Sequence, residues 1–188
     1  MAHSCLAIAP PGRIELLKQI LPDFEVLPSQ VEEKIRSDLS PQDNALLLAR
    51  EKALEVARRR PGHWVLGADT LVVLEDTLLG KPVDGSDARA ILKRLSGRAH
   101  QVITGVALVN DSVLQEAAVS HVVLHPLTEK QIDDYINTGE PLDKAGAYAI
   151  QGKGRAVVAS YSGSYSNIVG LPLETVRRLL EKAGISTA

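Results

Sequence analysis

The chain has 188 residues, with 21 basic and 23 acidic side chains and a formal net charge of −2. A hydrophobic fraction of 45% and a charged fraction of 23% are typical of a globular protein, and this length predicts a single domain over 1–188. The near-neutral balance and an aromatic fraction of 3% disfavour a nucleic-acid polymer or a membrane surface as partner, since such partners select basic faces and stacking platforms.

The lone cysteine, Cys5, cannot form an internal disulfide, which is typical of reducing surroundings. The first residues lack the basic region of a signal peptide, and no apolar run is long enough to span a bilayer. We therefore expect a cytoplasmic protein.

Helical and strand patterns alternate along the chain. In order, we predict a strand at 5–9, a helix from about 13, a strand at 24–27, a helix from the Ser40 cap to about 60, a strand at 64–68, a hairpin of 70–74 with 77–79, a helix capped by Ser86 and ended by Gly97, strands at 101–109 and 117–124, a helix from Thr128 to about 139, strands at 148–151 and 156–160, and a helix from Pro172 to Gly184. Because hairpins join several strands, an α/β fold with a mixed sheet flanked by helices fits this order better than a purely parallel sheet.

Short motifs for metals and phosphate loops are missing from the sequence. The His and Cys residues form no zinc-ligand pattern, Gly80-Lys81-Pro82 lacks the rest of a Walker loop, and Gly152-Lys153-Gly154 lacks the third glycine of a dinucleotide fingerprint. These patterns disfavour a dedicated transition-metal site and the common nucleotide loops.

Two charged residues stand out against apolar surroundings. Asp69 follows the predicted buried strand 64–68, which places a carboxylate at a strand end, where open α/β sheets carry their sites. The alternative is a solvated turn residue. Lys52 lies beside Ala45 and Val56 on one helix face, where it either extends to solvent or meets an anion in a cleft.

Basic residues also mark the ends of several predicted elements. Arg13, Lys81, Arg98 and Lys144 lie in loops or first turns, from which cations can converge on a phosphate chain. For any one of them alone, a surface charge is the commoner case.

Five blocks of the sequence, taken together, resemble a known family. Gly67-Ala68-Asp69-Thr70, the Gly-Lys-Pro at 80–82, and the stretches 95–106, 139–152 and 163–173 are similar, in order and spacing, to the Maf (septum formation) family of nucleoside triphosphate pyrophosphatases. The match runs from about Leu6 to Ala183, and its length makes it far more specific than any short motif.

The resemblance implies an elongated fold with two lobes around a cleft, related to the inosine triphosphate pyrophosphatases. It also implies a hydrolase of acid anhydrides that cleaves a nucleoside triphosphate to the monophosphate and pyrophosphate, works with Mg²⁺ or Mn²⁺, and forms a homodimer. Thr70 and Gln151 resemble the branch that prefers dTTP and UTP. The alternatives are a 7-methyl-GTP-type pyrophosphatase and a weakened, nucleotide-binding member of the same fold.

The resemblance also assigns roles to individual residues. Asp69 matches the proton acceptor, and Glu33 with Asp69 are the candidates for the metal, since Mg²⁺ prefers carboxylate and phosphate oxygens. The candidate phosphate and base contacts are Arg13, Lys52, Lys81, Lys144, Thr70 and Gln151, and the positions tied to substrate choice are Gly12, Thr70 and Gln151.

The first motif departs from the family. Where the family has two serines and a first arginine, this chain has Ile8, Pro10 and Gly12, and only Arg13 remains. A hydrogen bond to a charged group contributes about 1.5–3 kcal/mol. At about 1.4 kcal/mol for each factor of ten, loss of that arginine alone predicts an enzyme weaker by about tenfold to over a hundredfold.

Overall fold

The computed structural model describes residues 4–6 and 10–188. Its strands are β1 (Ser4–Leu6), β2 (Glu25–Val26), β3 (Trp64–Leu74), β4 (Thr77–Leu79), β5 (Ala99–Val109), β6 (Val113–Leu124) and β7 (Val158–Ser162). Its helices are α1 (Pro11–Lys18), α2 (Pro41–Arg59), α3 (Gly85–Leu95), α4 (Glu129–Ile136), α5 (Tyr165–Val169) and α6 (Leu173–Lys182), with 3-10 turns at Glu140–Asp143, Ala145–Ala147 and Gly152–Val157.

The strands form one mixed sheet in the order β2-β1-β3-β5-β6-β7, with β4 paired to β3 outside this path. β1 is parallel to both β2 and β3, whereas β4 is antiparallel to β3 and β7 is antiparallel to β6. The predicted α/β class with a mixed sheet is confirmed.

The chain divides into two compact units. The first unit contains Met1–Thr70, Thr104–Ala118 and Gly170–Ala188, and the second contains Leu71–Ile103 and Val119–Val169. Within the described residues, no helix combines the length and the apolar character that a membrane span requires.

Local capping signals determine where several helices begin. Ser40 accepts the Asp43 N–H at 3.0 Å, and Pro41 occupies the first turn, as predicted for α2. Thr128 and Gln131 form a reciprocal capping box at the start of α4. For α3, the predicted Ser86 cap is wrong, because Asp84 caps the helix by accepting the Asp87 N–H.

Three strand predictions are corrected by the structure. Residues 64–68 and 70–74 form one continuous strand, β3, so Asp69 lies within a strand and not at its end. Residues 148–151 form no strand, since the 3-10 turns on either side leave them without a partner strand in the described chain. The strand predicted at 156–160 begins at Val158, because Gly152–Val157 winds as a 3-10 turn.

In the first unit, small residues bring α2 directly onto the sheet. A Cβ on Gly67 would collide with the Ala49 carbonyl oxygen, and a Cβ on Gly105 would collide with that of Ala45. The helix backbone therefore packs against β3 and β5 where these strands have no side chain. This close approach places the buried face of α2 over the middle of β3.

The core of the second unit packs α3 and α4 against strand residues. Leu92 and Leu95 of α3, Ile132 of α4, and Val102 and Leu124 of the sheet are almost fully buried in one apolar cluster. Burial of such side chains contributes about 1.5–3 kcal/mol each.

Candidate active site

Asp69 is a buried carboxylate in the middle of β3, with 5% of its surface exposed. Burial raises the pKa of Asp69, while the Lys52 ammonium and the Arg13 guanidinium lower it and so limit the rise. The side chain is therefore desolvated and faces cations, as a proton acceptor in a cleft would be. The solvated-turn alternative does not agree with this burial.

Lys52 bridges two carboxylates. Its Nζ lies 2.5 Å from Asp69 Oδ1 and 2.7 Å from Glu33 Oε1, and only 7% of its side chain is exposed. The ammonium thus meets anions and does not extend to solvent. Because it has three N–H donors and these pairs use two, the described residues leave one donor for a ligand.

Glu33 comes from a segment without regular secondary structure, between β2 and α2. About half of its side chain is exposed. It faces the same ammonium as Asp69, so two acidic oxygens converge on one cationic centre. The structure therefore brings together three of the predicted site residues: Glu33, Lys52 and Asp69.

Arg13 is buried and makes three hydrogen bonds within the first unit. Its Nε donates to the Gly170 carbonyl at 2.7 Å, Nη1 to the Ala68 carbonyl at 3.2 Å and Nη2 to Thr70 Oγ1 at 2.9 Å. Burial lowers the pKa of the guanidinium, and the charges of Asp69 and Glu33 oppose that shift. Arg13 thus holds the residues on both sides of Asp69, a role that the sequence did not predict.

Thr70 carries a hydroxyl with two protein partners. It accepts from Arg13 Nη2 and lies 2.9 Å from the hydroxyl of Thr104, which is fully buried on β5. Thr104 was not predicted as part of the site, although a threonine within the apolar run 102–109 could have signalled a buried polar contact.

The remaining predicted contacts belong to the second unit. Lys81 is exposed and follows β4, and the neighbouring Gly80 carbonyl accepts the Gly146 N–H at 3.1 Å. This bond joins the Lys81 segment to the loop that carries Lys144, whose Nζ contacts Asp143 at 2.7 Å. Both cations therefore lie on adjoining segments of that unit.

Gln151 is exposed and precedes the 3-10 turn Gly152–Val157. Glu140 holds this turn, since its carboxylate accepts the Gly154 N–H at 2.8 Å and the Lys153 N–H at 3.2 Å. Tyr135 completes the arrangement by donating its hydroxyl to Glu140 at 2.6 Å. The Gly-Lys-Gly stretch, which lacks the third glycine of a dinucleotide fingerprint, thus binds an internal carboxylate.

The altered first motif is described only from Pro10 onward, and Ile8 lies outside the described residues. Pro10 is the N-cap residue of α1 but supplies no side-chain cap, and Gly12 lies in the first turn of that helix. Gly12 has no side chain and Arg13 is engaged by protein acceptors. Residues 10–13 therefore expose no free cationic side chain.

The Glu33 and Asp69 carboxylates have the oxygen ligands that a divalent ion such as Mg²⁺ requires. No group of three or more acidic, His or Cys side chains forms a ready metal site in the described part of the chain. However, Glu33 and Asp69 each direct an oxygen at the Lys52 ammonium. Two carboxylates fit Mg²⁺, which is usually held by one or two protein carboxylates together with substrate phosphates.

Comparisons with known proteins place this geometry in context. A model for the family described as Maf-like protein matches residues 3–183. The chain is 49% identical over 180 residues to a protein of Myxococcus xanthus named dTTP/UTP pyrophosphatase, covering 96% of this chain and 92% of the relative. It is 44% identical over 191 residues to a protein of the same name from Caldicellulosiruptor saccharolyticus, covering 98% and 96%. The solved structure of a dITP/XTP pyrophosphatase from Mycobacterium abscessus is similar at 15% identity over 97% of this chain and 96% of that one, with a TM-score of 0.48.

Proposed function

The chain belongs to the Maf family, and on that basis we propose that it is a nucleoside triphosphate pyrophosphatase that cleaves dTTP and UTP to the monophosphate and pyrophosphate. The observation that carries the proposal is the buried Asp69 carboxylate, paired with Lys52 at 2.5 Å, in a chain similar over nearly its full length to proteins named dTTP/UTP pyrophosphatase.

In the proposed reaction, Asp69 orients a water molecule and accepts its proton. The water oxygen forms a bond to the α-phosphorus, and the bond from that phosphorus to the bridging oxygen breaks, so that pyrophosphate leaves with the electron pair. Lys52 supports this role, because an adjacent ammonium favours the ionised carboxylate that a proton acceptor requires.

The chemistry of the side chains suggests which part of the substrate each of them contacts. We assign Lys81 and Lys144 to the phosphates, since cations stabilise the charge that develops on a triphosphate. The amide of Gln151 offers a donor and an acceptor to a uracil or thymine edge, and the hydroxyl of Thr70, oriented by Arg13 and Thr104, is the other base contact. Arg13 acts by holding this part of β3.

The proposed cofactor is Mg²⁺ or Mn²⁺, held by Glu33 and Asp69. When bound, such an ion supplies charge neutralisation and alignment of the triphosphate. Removal of the metal with EDTA abolishes turnover on this proposal, and added Mg²⁺ restores it. A homodimer is the assembly implied by the family resemblance, and light scattering on the purified chain measures it.

The experiment that tests the function is release of pyrophosphate from a panel of nucleotides. We expect dTTP and UTP to give the highest kcat/KM, with monophosphate and pyrophosphate formed in equal amounts. Release of orthophosphate instead would contradict the reaction. A preference for 7-methyl-GTP would contradict the assigned branch.

A second candidate function is supported by the first motif. Because residues 10–13 expose no free cation, nucleotide binding with little turnover is the alternative. Calorimetric titration with UTP distinguishes the two, since tight binding with negligible pyrophosphate release identifies a binding protein.

A further inference from the structure

Glu33 reaches the site from a segment that has no helix or strand of its own. Residues 28–36, here called the strap, lie between β2 and α2. Nothing in their local sequence holds a half-exposed glutamate in one position, yet Glu33 contacts the buried Lys52 at 2.7 Å. Contacts from outside the strap must therefore fix the position of Glu33.

The carboxyl-terminal end of the strap is tied to α2 by Asn44, which is buried with 1% exposed. Its Oδ1 accepts the Arg36 N–H at 2.9 Å, and its Nδ2 donates to the Arg36 carbonyl at 2.9 Å. This amide pairs with both backbone groups of Arg36, as a neighbouring strand would. The same Nδ2 reaches the carbonyls of Leu39 and Ser40 at 3.3 and 3.2 Å.

The amino-terminal end of the strap is tied to the same helix by hydrogen bonds to two α2 side chains, Glu55 and Arg59, which form an ion pair with each other. Glu55 Oε2 accepts the Gln30 N–H at 3.1 Å. Arg59 donates to the Pro28 carbonyl at 2.8 Å and pairs with Glu55 at 2.8 Å. Both ends of the strap therefore depend on side chains of α2.

The spacing of these ties shows that the strap is stretched. From position 44 to position 55 the helix rises about 17 Å, at 1.5 Å per residue. Six residue steps from Gln30 to Arg36 reach at most about 20 Å when fully extended. The strap runs antiparallel to α2, with Glu33 midway between its ties and facing Lys52.

An extended segment alternates its side chains, and the strap does so around Glu33. Glu32 and Lys34 pair with each other at 2.9 Å and are 78% and 73% exposed. They therefore point to solvent while Glu33 points to Lys52. A slip of one residue would turn the wrong carboxylate toward the site.

We propose that Asn44 and Glu55 are positioning residues that keep the strap extended along α2 and thereby hold Glu33 against Lys52. The inference rests on the proposed function for its catalytic consequence. Neither residue touches the reacting groups, so each acts on turnover through Glu33.

A double-mutant cycle tests this coupling. Glu55→Ala and Asn44→Asp are made in the natural background and in a Glu33→Gln background, and kcat/KM for UTP is measured for each. We expect each tie variant to lower kcat/KM about tenfold when Glu33 is present, and less than about twofold when it is absent, since groups that act through a shared partner are not additive. Equal losses in both backgrounds would overturn the proposal.

Glu51→Ala is the matched control for Glu55→Ala. It makes the same change one turn earlier on α2. In the described chain Glu51 has no hydrogen bond or ion pair, and only its charge acts on the exposed Arg36 of the strap, so we expect natural kcat/KM. Asn44 is buried, and Asn44→Asp keeps the acceptor of the Arg36 N–H but removes the three hydrogen bonds that Nδ2 donates. We therefore interpret Asn44→Asp only together with Glu55→Ala, whose natural side chain is 20% exposed.

Amide hydrogen exchange without nucleotide gives a readout independent of turnover. Glu55→Ala and Asn44→Asp are expected to increase exchange in residues 30–36, whereas Glu51→Ala leaves it unchanged. Unchanged exchange in both tie variants refutes the anchoring of the strap. If the natural protein releases no pyrophosphate from any nucleotide, the proposed function is refuted. The hydrogen-exchange measurement by itself then tests whether Asn44 and Glu55 anchor the strap.

Discussion

Replacement of Asp69 by asparagine separates catalysis from stability. The amide keeps the shape of the side chain but cannot accept the proton of the attacking water. Loss of a proton acceptor lowers kcat by about 10²- to 10⁴-fold. We expect Asp69→Asn to show this loss with dTTP and with UTP.

The fold is expected to tolerate this change. The folded pKa of Asp69 lies above its ordinary value, chiefly because of burial. Ionisation of Asp69 therefore lowers the free energy of unfolding as the pH rises past the unfolded pKa. The asparagine amide does not ionise, so it avoids this loss. Lys52 keeps Glu33 at 2.7 Å as a partner, so we expect Asp69→Asn to be no less stable than the natural protein at pH 7.

Lys52→Met is the matched comparison. It leaves Asp69 buried without its closest cation, and breaking a buried pair in this way costs about 3 kcal/mol or more. The pKa of Asp69 rises further without Lys52, so the loss is largest at high pH and shrinks as the carboxyl protonates. We expect Lys52→Met to lose both activity and stability, whereas Asp69→Asn loses activity alone.

Two measurements test these roles of Asp69 and Lys52: coupled pyrophosphate release and urea unfolding at pH 6.0 and 8.5. Asp69→Asn that retains more than about a tenth of natural kcat would refute Asp69 as proton acceptor, since that role contributes at least about a hundredfold. Lys52→Met with natural stability at both pH values would refute the electrostatic reasoning.

Three further predictions concern stability and substrate use. Burial lowers the pKa of His100 to about 4. As the pH falls below about 6.5, the unfolded chain binds a proton at this side chain and the folded chain does not. The free energy of unfolding therefore decreases by about 3 kcal/mol between pH 6.5 and 4. Urea unfolding should show this slope reduced in His100→Gln and retained in His121→Gln, an exposed control. Gly12→Arg is expected to raise kcat/KM about tenfold or more through a restored charged contact, and an unchanged value for every nucleotide would mean that no contact was lost there. Gly67→Ala forces a methyl group into the backbone of α2 and should cost about 3 kcal/mol in urea unfolding, whereas Gly80→Ala, with nothing within 4 Å, should cost less than about 1 kcal/mol.

Local sequence signals determined the start of α2 at Ser40 and the capping box of α4, because a cap depends on residues three positions apart. The turn at Glu75 and Asp76 between β3 and β4 was likewise predictable. The family block Gly67-Ala68-Asp69-Thr70 also indicated Asp69, and the apolar helix face beside Ala45 and Val56 indicated Lys52. These features were predictable because each depends on residues close together in one element or one motif.

Only the tertiary structure decided what Arg13 and Glu33 contact. The partners of Arg13 include a carbonyl 157 residues away, and no spacing in the sequence predicts that pair. Asp69 was assigned to a strand end because its charge interrupts an apolar run, yet β3 continues through it, since Lys52 supplies the neutralising charge from α2. The position of the strap depends on Asn44 and Glu55 in the same way, because hydrogen bonds between distant segments exist only once the chain has packed.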